Sequence, residues 1–217
     1  MHAQIARHYD LPAVSMQSSI YPEVVAGRIP NRAITEDDLH PNDKGHELVA
    51  SVITYALEKM YRLSGDDPEP ELPQPLTKNC YEKAIRLDNR NYEPANHGFV
   101  KDTRVQLEVK DCFKNGWNAK EKGASITFEV NGSEIAVQYK RCVNQPAPVA
   151  VAIVDDDREH AVTLDANFDE DWGDKLELTP VLVHGSNGAH TLAVELITGD
   201  ETMPSAFELI SVIVSKK

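Results

Sequence analysis

The sequence lacks long apolar runs and clustered cysteines. No stretch of about 18 apolar residues occurs, so no membrane-spanning helix is predicted. Its three cysteines, Cys80, Cys112 and Cys142, lie far apart and form no Cys-x-x-Cys pair, which excludes the usual zinc spacing and any evident disulfide framework. Buried free thiols are expected, with a single disulfide left open. The N-terminal residues show no basic-then-apolar signal peptide, and the localisation stays open.

Basic residues are also few compared with acidic residues. There are 22 lysines and arginines against 35 acidic residues, which gives a formal net charge of −13. Nucleic acid and anionic membrane surfaces would both be repelled by this charge, so neither is expected as a partner. The acidic excess is interpreted as serving solubility.

A proline-rich and acidic stretch divides the chain. "SGDDPEPELPQP" holds four prolines and almost no apolar residue, so neither a helix nor a central strand continues through it. We therefore predict a first domain over residues 1–63, a linker over 64–76 and a second domain over 77–217.

The first segment has an α/β pattern. A helix end around residues 3–10 precedes a short apolar strand, "LPAVSM", then a loop over 17–39 and a helix that begins near Asn42, the predicted N-cap. The apolar residues of that helix form one stripe: Leu48, Val49, Val52, Ile53, Leu57, Met60 and Tyr61. Such a helix packs on a parallel sheet, which one strand cannot supply. The segment is therefore expected to be the last strand and helix of a larger α/β domain.

The second segment has a β pattern. "ASITFEVNGSEIAVQYK" alternates in polarity on both sides of Asn131-Gly132, which predicts a hairpin with a two-residue turn. Further strands are predicted over 149–155, 160–165, 176–183, 189–197 and 207–215. Many short strands at this spacing indicate an all-β sandwich, such as a jelly roll.

The chemistry of the first segment centres on Asp37 and His40. An imidazole can accept a proton from a hydroxyl and return it to a leaving group, provided that a carboxylate fixes its tautomer. Residues three apart on a turn can make that contact. Asp38 competes for the acid role at a spacing of two. The alternative is that both side chains only shape a loop.

The stretch "DDLHPNDKGH" resembles the last motif of the SGNH (GDSL-type) hydrolases, and the resemblance covers roughly residues 5–61. It implies a flavodoxin-like α/β/α domain, with His40 as the general base and Asp37 as its partner. His46 is expected to be structural. The resemblance implies no cofactor.

The nucleophile that this family uses is not found. Its Gly-Asp-Ser and Gly-x-Asn-Asp motifs do not occur before Asp37, and nothing marks Ser15, Ser18 or Ser19 as a nucleophile. We expect that the serine and the oxyanion hole are missing from this chain. It would then be the C-terminal portion of a longer esterase and inactive alone.

The β region resembles the glycan-binding sandwiches found beside some bacterial SGNH esterases. Trp117 and Trp172 are the candidates for stacking on a sugar ring, and core packing is their alternative. The acidic clusters at 155–157 and 165–174 are interpreted as solvated turns rather than calcium ligands, so no metal site is predicted.

Three interpretations remain open. The first is an SGNH carbohydrate esterase that deacetylates through a Ser-His-Asp mechanism, with an acylated carbohydrate or another small ester as its substrate. The second is a non-catalytic glycan-binding module with a structural α/β stub. In the third, another chain supplies the serine. The apolar face of the 42–62 helix also predicts that the chain self-associates or packs this helix onto the β-sandwich.

Overall fold

The computed structural model describes residues 2–65, 71–77 and 81–216. The chain forms two compact units, residues 1–78 and residues 79–217. Residues 66–70 of the predicted linker lie outside the described residues, as does Cys80. Of the other two cysteines, Cys112 is an exposed free thiol, against expectation, and Cys142 is a buried one. No described helix has the length and apolar composition that a bilayer crossing requires.

The described part of the first unit is helical. It contains α1 (His2–His8), α2 (Met16–Val25), a 3-10 turn (Asn31–Ala33) and α3 (Asp43–Leu63), with one isolated β-bridge between Thr35 and Pro41. The predicted strand over residues 11–16 is wrong, since residues 11–15 have no partner strand in the described part of this unit. The predicted loop over 17–39 is wrong too, because Ser15 caps a helix there by accepting a hydrogen bond from the Ser18 amide.

The predicted helix and its cap are confirmed in α3. The Asn42 side chain accepts a hydrogen bond from the Gly45 amide, while Asp43 and Arg62 complement the two ends of the helix dipole. Gly45 is the one fully buried residue among those of α3. The apolar stripe therefore lies half-buried at Leu48 and Val49 and exposed towards its C-terminal end.

The second unit is a β-sandwich of two antiparallel sheets. Its described strands are β1 (Ile85–Leu87), β2 (Ala95–His97), β3 (Val100–Lys101), β4 (Trp117–Ala119), β5 (Ser125–Gly132), β6 (Glu134–Arg141), β7 (Val149–Val154), β8 (Val162–Asp165), β9 (Lys175–Leu182), β10 (Gly188–Leu196) and β11 (Phe207–Ser215). One sheet has the order β3-β4-β11-β6-β9 with β1 beside β11, and the other has β2-β5-β10-β7-β8. Alternate residues of both sheets fill the core between them.

The predicted hairpin is wrong in its pairing, although both of its strands exist. β5 pairs with β2 and β10, whereas β6 pairs with β9 and β11, so the chain crosses from one sheet to the other at Ser133. Gly132 allows this crossing, because a Cβ there would stand 2.6 Å from the Ser215 carbonyl oxygen. Both strands direct their apolar residues into the same core from opposite sheets.

Candidate active site

The structure brings Asp37 and His40 together on the loop before α3. The Nδ1 of His40 lies 2.6 Å from Oδ2 of Asp37, and the His40 backbone amide donates to Oδ1 at 2.7 Å. The Leu39 amide donates to the same oxygen at 3.0 Å. The carboxylate therefore caps the turn and orients the ring at once. The imidazole is 77% exposed, which leaves Nε2 open to a reactant.

The environment of Asp37 favours its ionised form. The hydrogen bond from the His40 ring, helped by the His40 and Leu39 amides, holds the pKa of Asp37 well below its usual range. An ionised carboxylate can only accept, so Nδ1 carries the proton and Nε2 is free to act as a base. The pair thus has the tautomer that general-base catalysis requires.

A second set of side chains surrounds this turn. Arg32 donates to the Glu36 carbonyl oxygen and, at 2.8 Å, to Oδ2 of Asp38. The Asn31 amide donates to Oδ1 of Asp38, and the Thr35 hydroxyl lies 3.3 Å from Oδ1 of Asp37. Sequence reasoning considered Asp38 only as a rival acid and missed these supporting residues. Arg32 and Asn31 give only a weak signal in the sequence, because they precede Asp38 by six and seven positions and match no short-range motif.

An apolar groove of about 600 Å³ lies beside the pair. It runs between α2 and α3 and includes Asp38, Leu39 and Pro41 from the loop that carries His40. Its remaining walls are mostly apolar side chains: Met16, Ile20, Tyr21, Val24, Ile34, Leu48 and Val49. The candidate pair therefore adjoins a concave surface of the kind that ligand sites use.

The same local geometry recurs at Asp157 and His160, on the turn between β7 and β8. There Nδ1 lies 2.8 Å from Oδ2, and the His160 amide lies 3.3 Å from Oδ1. The two side chains are about as exposed as those of the first pair. Spacing alone therefore produces the contact, and the surroundings must distinguish a reactive pair from a turn.

The chain is similar over its whole length to two solved structures of a two-domain esterase active on acetylated mannans. It is 59% identical to both, with TM-scores of 0.89 and 0.91, and one of them was co-crystallised with mannopentaose. The chain spans 58% and 59% of the length of these chains. No family model and no curated protein matches the sequence.

The two tryptophans predicted to stack on sugar differ in placement. Trp117 is fully buried and packs edge-to-face on Phe128 at 5.3 Å, so its prediction as an exposed stacking residue is wrong. It belongs to the core because β4 directs it between the sheets. Trp172 is 67% exposed and meets Phe168 edge-to-face, so its indole face is available to a ligand.

The serines near His40 in sequence have local partners. Ser18 and Ser19 each donate from the hydroxyl to the Ser15 carbonyl oxygen, and Ser15 caps α2. None of the three is hydrogen-bonded to His40 within the described residues. No group of three or more acidic, histidine or cysteine side chains that could hold a metal occurs in this described part either.

Proposed function

We propose that this chain is the C-terminal portion of a carbohydrate esterase of the SGNH type, with His40 as the general base and Asp37 as the residue that orients it. The observation that carries the proposal is the Asp37–His40 hydrogen bond on a loop beside an open groove. Similarity to an esterase active on acetylated mannans supports an O-acetylated polysaccharide as the substrate. The resemblance of the loop and α3 to the end of an SGNH domain supports the α/β origin of the first unit.

In the proposed reaction, His40 takes the proton from a serine hydroxyl as the oxygen attacks the acetyl carbonyl. The imidazolium then gives that proton to the departing sugar oxygen, which leaves as a hydroxyl, and water attacks the acetyl-serine in the same way to release acetate. Asp37 stabilises the imidazolium at both stages. We propose that the serine and its oxyanion donors lie outside these 217 residues, because no residue here matches their motifs.

The test uses acetate release from acetylated mannan. The chain is assayed alone and in a mixture with a second polypeptide. That polypeptide is the part of the two-domain mannan esterase that this chain does not cover. We expect activity only in the mixture, and a loss of about a thousandfold or more in His40→Ala, because triad members act as a unit. His160→Ala is the matched control and should leave the rate unchanged.

Two outcomes would contradict parts of this proposal. Equal rates for His40→Ala and the unchanged chain in an active mixture would remove His40 from the mechanism. Turnover by the chain alone that disappears in His40→Ala would show that a serine among these residues is the nucleophile.

A second candidate function, glycan binding by the β-sandwich without catalysis, is favoured by Trp172. An exposed indole face suits the apolar face of a pyranose ring. Affinity electrophoresis in mannan gels should show retardation that Trp172→Ala abolishes. Leu178→Ala, at another exposed apolar residue of the sandwich, is the control. Equal migration of all three proteins with and without mannan would exclude this function.

A further inference from the structure

We propose that Arg32 is a positioning residue for the Asp37–His40 pair, and that it acts by holding the turn between them from outside. This role rests on the proposed function in that it gives the pair its catalytic geometry. Arg32 belongs to the 3-10 turn Asn31–Ala33 and lies outside the motif that marks the pair in the sequence.

The turn has an uncommon backbone conformation at Asp38. This residue has φ 67°, in the left-handed region, which few residues with a Cβ adopt and which aspartate adopts more readily than most. Its backbone stands between the carboxylate of Asp37 and the ring of His40. Relaxation of Asp38 to an ordinary φ would turn the Asp37 side chain away from the His40 amide and ring.

Arg32 fixes this turn on both sides of Asp37. One guanidinium nitrogen donates to the Glu36 carbonyl oxygen, and another donates to Oδ2 of Asp38 at 2.8 Å. Asn31 donates to the second oxygen of Asp38. Arg32 thus holds the Glu36 backbone before Asp37. Arg32 and Asn31 together hold the Asp38 side chain after it.

A planar guanidinium is required for this arrangement. It presents several donors in a fixed plane, whereas a lysine ammonium is a flexible point charge. Arg32 and Asp38 are 63% and 56% exposed, and ion pairs this exposed contribute little to folding stability. A contribution to folding stability therefore explains the hydrogen bonds of Arg32 to Glu36 and Asp38 poorly. Positioning of the turn explains them better.

The pair at Asp157 and His160 serves as a natural comparison. The arginine between them, Arg158, points to Glu195 through two hydrogen bonds of 2.8 and 2.9 Å. Both hydrogen bonds of that pair are longer than those of Asp37 and His40. The distance from Nδ1 to Oδ2 is 2.8 against 2.6 Å, and the distance from the histidine amide to Oδ1 is 3.3 against 2.7 Å. The pair with the shorter hydrogen bonds, Asp37–His40, is the one whose turn accepts hydrogen bonds from an arginine.

The test is Arg32→Lys, which keeps the positive charge and removes the planar set of guanidinium donors. Ring ¹⁵N chemical shifts report which nitrogen of neutral His40 carries the proton, and ¹³C titration reports the pKa of the Asp37 carboxyl. We expect the His40 proton to move in part from Nδ1 to Nε2 and the pKa of Asp37 to rise towards its usual range. Arg28→Lys, at an exposed pair with Glu23, is the matched control and should change neither signal. His160 is an internal reference in every spectrum and should stay constant.

Signals for His40 and Asp37 in Arg32→Lys that match those of the unchanged chain would overturn the proposal. These measurements need neither a serine nor a substrate, so they stand even if His40 proves to have no catalytic role. In the mixture with the complementing polypeptide, Arg32→Lys should lower kcat about tenfold to a hundredfold with KM unchanged, since small displacements of a catalytic group have effects of this size. A change in KM alone would contradict positioning.

Discussion

At the scale of single residues, an Asp-x-x-His spacing says less than the atoms around it. The spacing occurs twice in this chain, and both copies form the same contact between Nδ1 and a carboxylate oxygen. The first copy adds the hydroxyl of Thr35, hydrogen bonds from Asn31 and Arg32 to the intervening Asp38, and a groove. The sequence alone could predict the contact, because it is local. It could not predict the groove or the contacts of Asn31 and Arg32, because these depend on side chains from α2, α3 and the 3-10 turn.

Gly45 is a residue at which the loop and α3 approach closely. A Cβ there would stand 2.3 Å from the Ile34 carbonyl oxygen and 2.8 Å from Cβ of Pro41. We expect Gly45→Ala to displace the loop from the helix and to weaken the Asp37–His40 contact. Overpacking of this kind costs about 1–3 kcal/mol and exceeds the roughly 1 kcal/mol that alanine gains in helix propensity.

The measurement for Gly45→Ala combines hydrogen exchange of the α3 amides with the ring ¹⁵N shifts of His40. Gly65→Ala is the control, because a Cβ at that position meets nothing within 4 Å. Unchanged exchange and unchanged shifts in Gly45→Ala would mean that the loop does not need this close approach.

At the scale of elements, α3 was easier to predict than α2 or the partners of the strands. α3 was predictable because its stripe and its cap are both local in sequence. The alternation in β5 and β6 correctly indicated two strands, although β6 has no exposed residue on either face. Alternation does not reveal whether two strands share a sheet or face each other across a core, and here they face each other. Short strands such as β1 and β3 were not predicted, because two or three residues become a strand only through their partners.

β10 carries a histidine, His190, whose protonated ring should bind acceptors on two turns of the sandwich. His190 is buried, with Nδ1 2.6 Å from Oδ2 of Asp155 and Nε2 2.9 Å from the Ser186 carbonyl oxygen. Both partners are acceptors, so the imidazolium satisfies them best. The Ser186 carbonyl and then the Asp155 carboxylate raise the pKa of His190 above its ordinary value.

A raised pKa gives a definite sign to the pH dependence. The stabilisation is complete below the unfolded pKa, about 6.5, and is lost as the pH rises through the higher folded pKa. We expect His190→Gln to lower the free energy of unfolding by about 1–3 kcal/mol at pH 5, and by less at pH 8. Urea unfolding followed by fluorescence of the buried Trp117 measures this, with His160→Gln as the exposed control. A cost that grows with pH would contradict the assignment.

At the scale of the whole molecule, the first unit exposes a row of apolar side chains along one helix. Ile53, Leu57 and Tyr61 follow one another at a spacing of four along α3, and all three are exposed. The core of the β-sandwich, by contrast, is filled by residues from both of its sheets. Similar solved chains are longer than this one, which covers 58–59% of them. An exposed stripe of this kind tends to associate with other apolar surface.

We therefore expect the chain, when studied alone, to self-associate through α3. Two copies that pair their stripes remove the same apolar side chains from water, at roughly 25 cal/mol per Å² buried. Light scattering across a range of concentrations should show a mass that rises with concentration, and Ile53→Lys combined with Leu57→Lys should return it to that of the monomer. Tyr55→Lys, at a residue that lies off the stripe on the helix, is the control and should leave association intact. A monomeric mass at every concentration would show that the stripe is not sufficient for association, and the apolar face of α3 would then need a different partner.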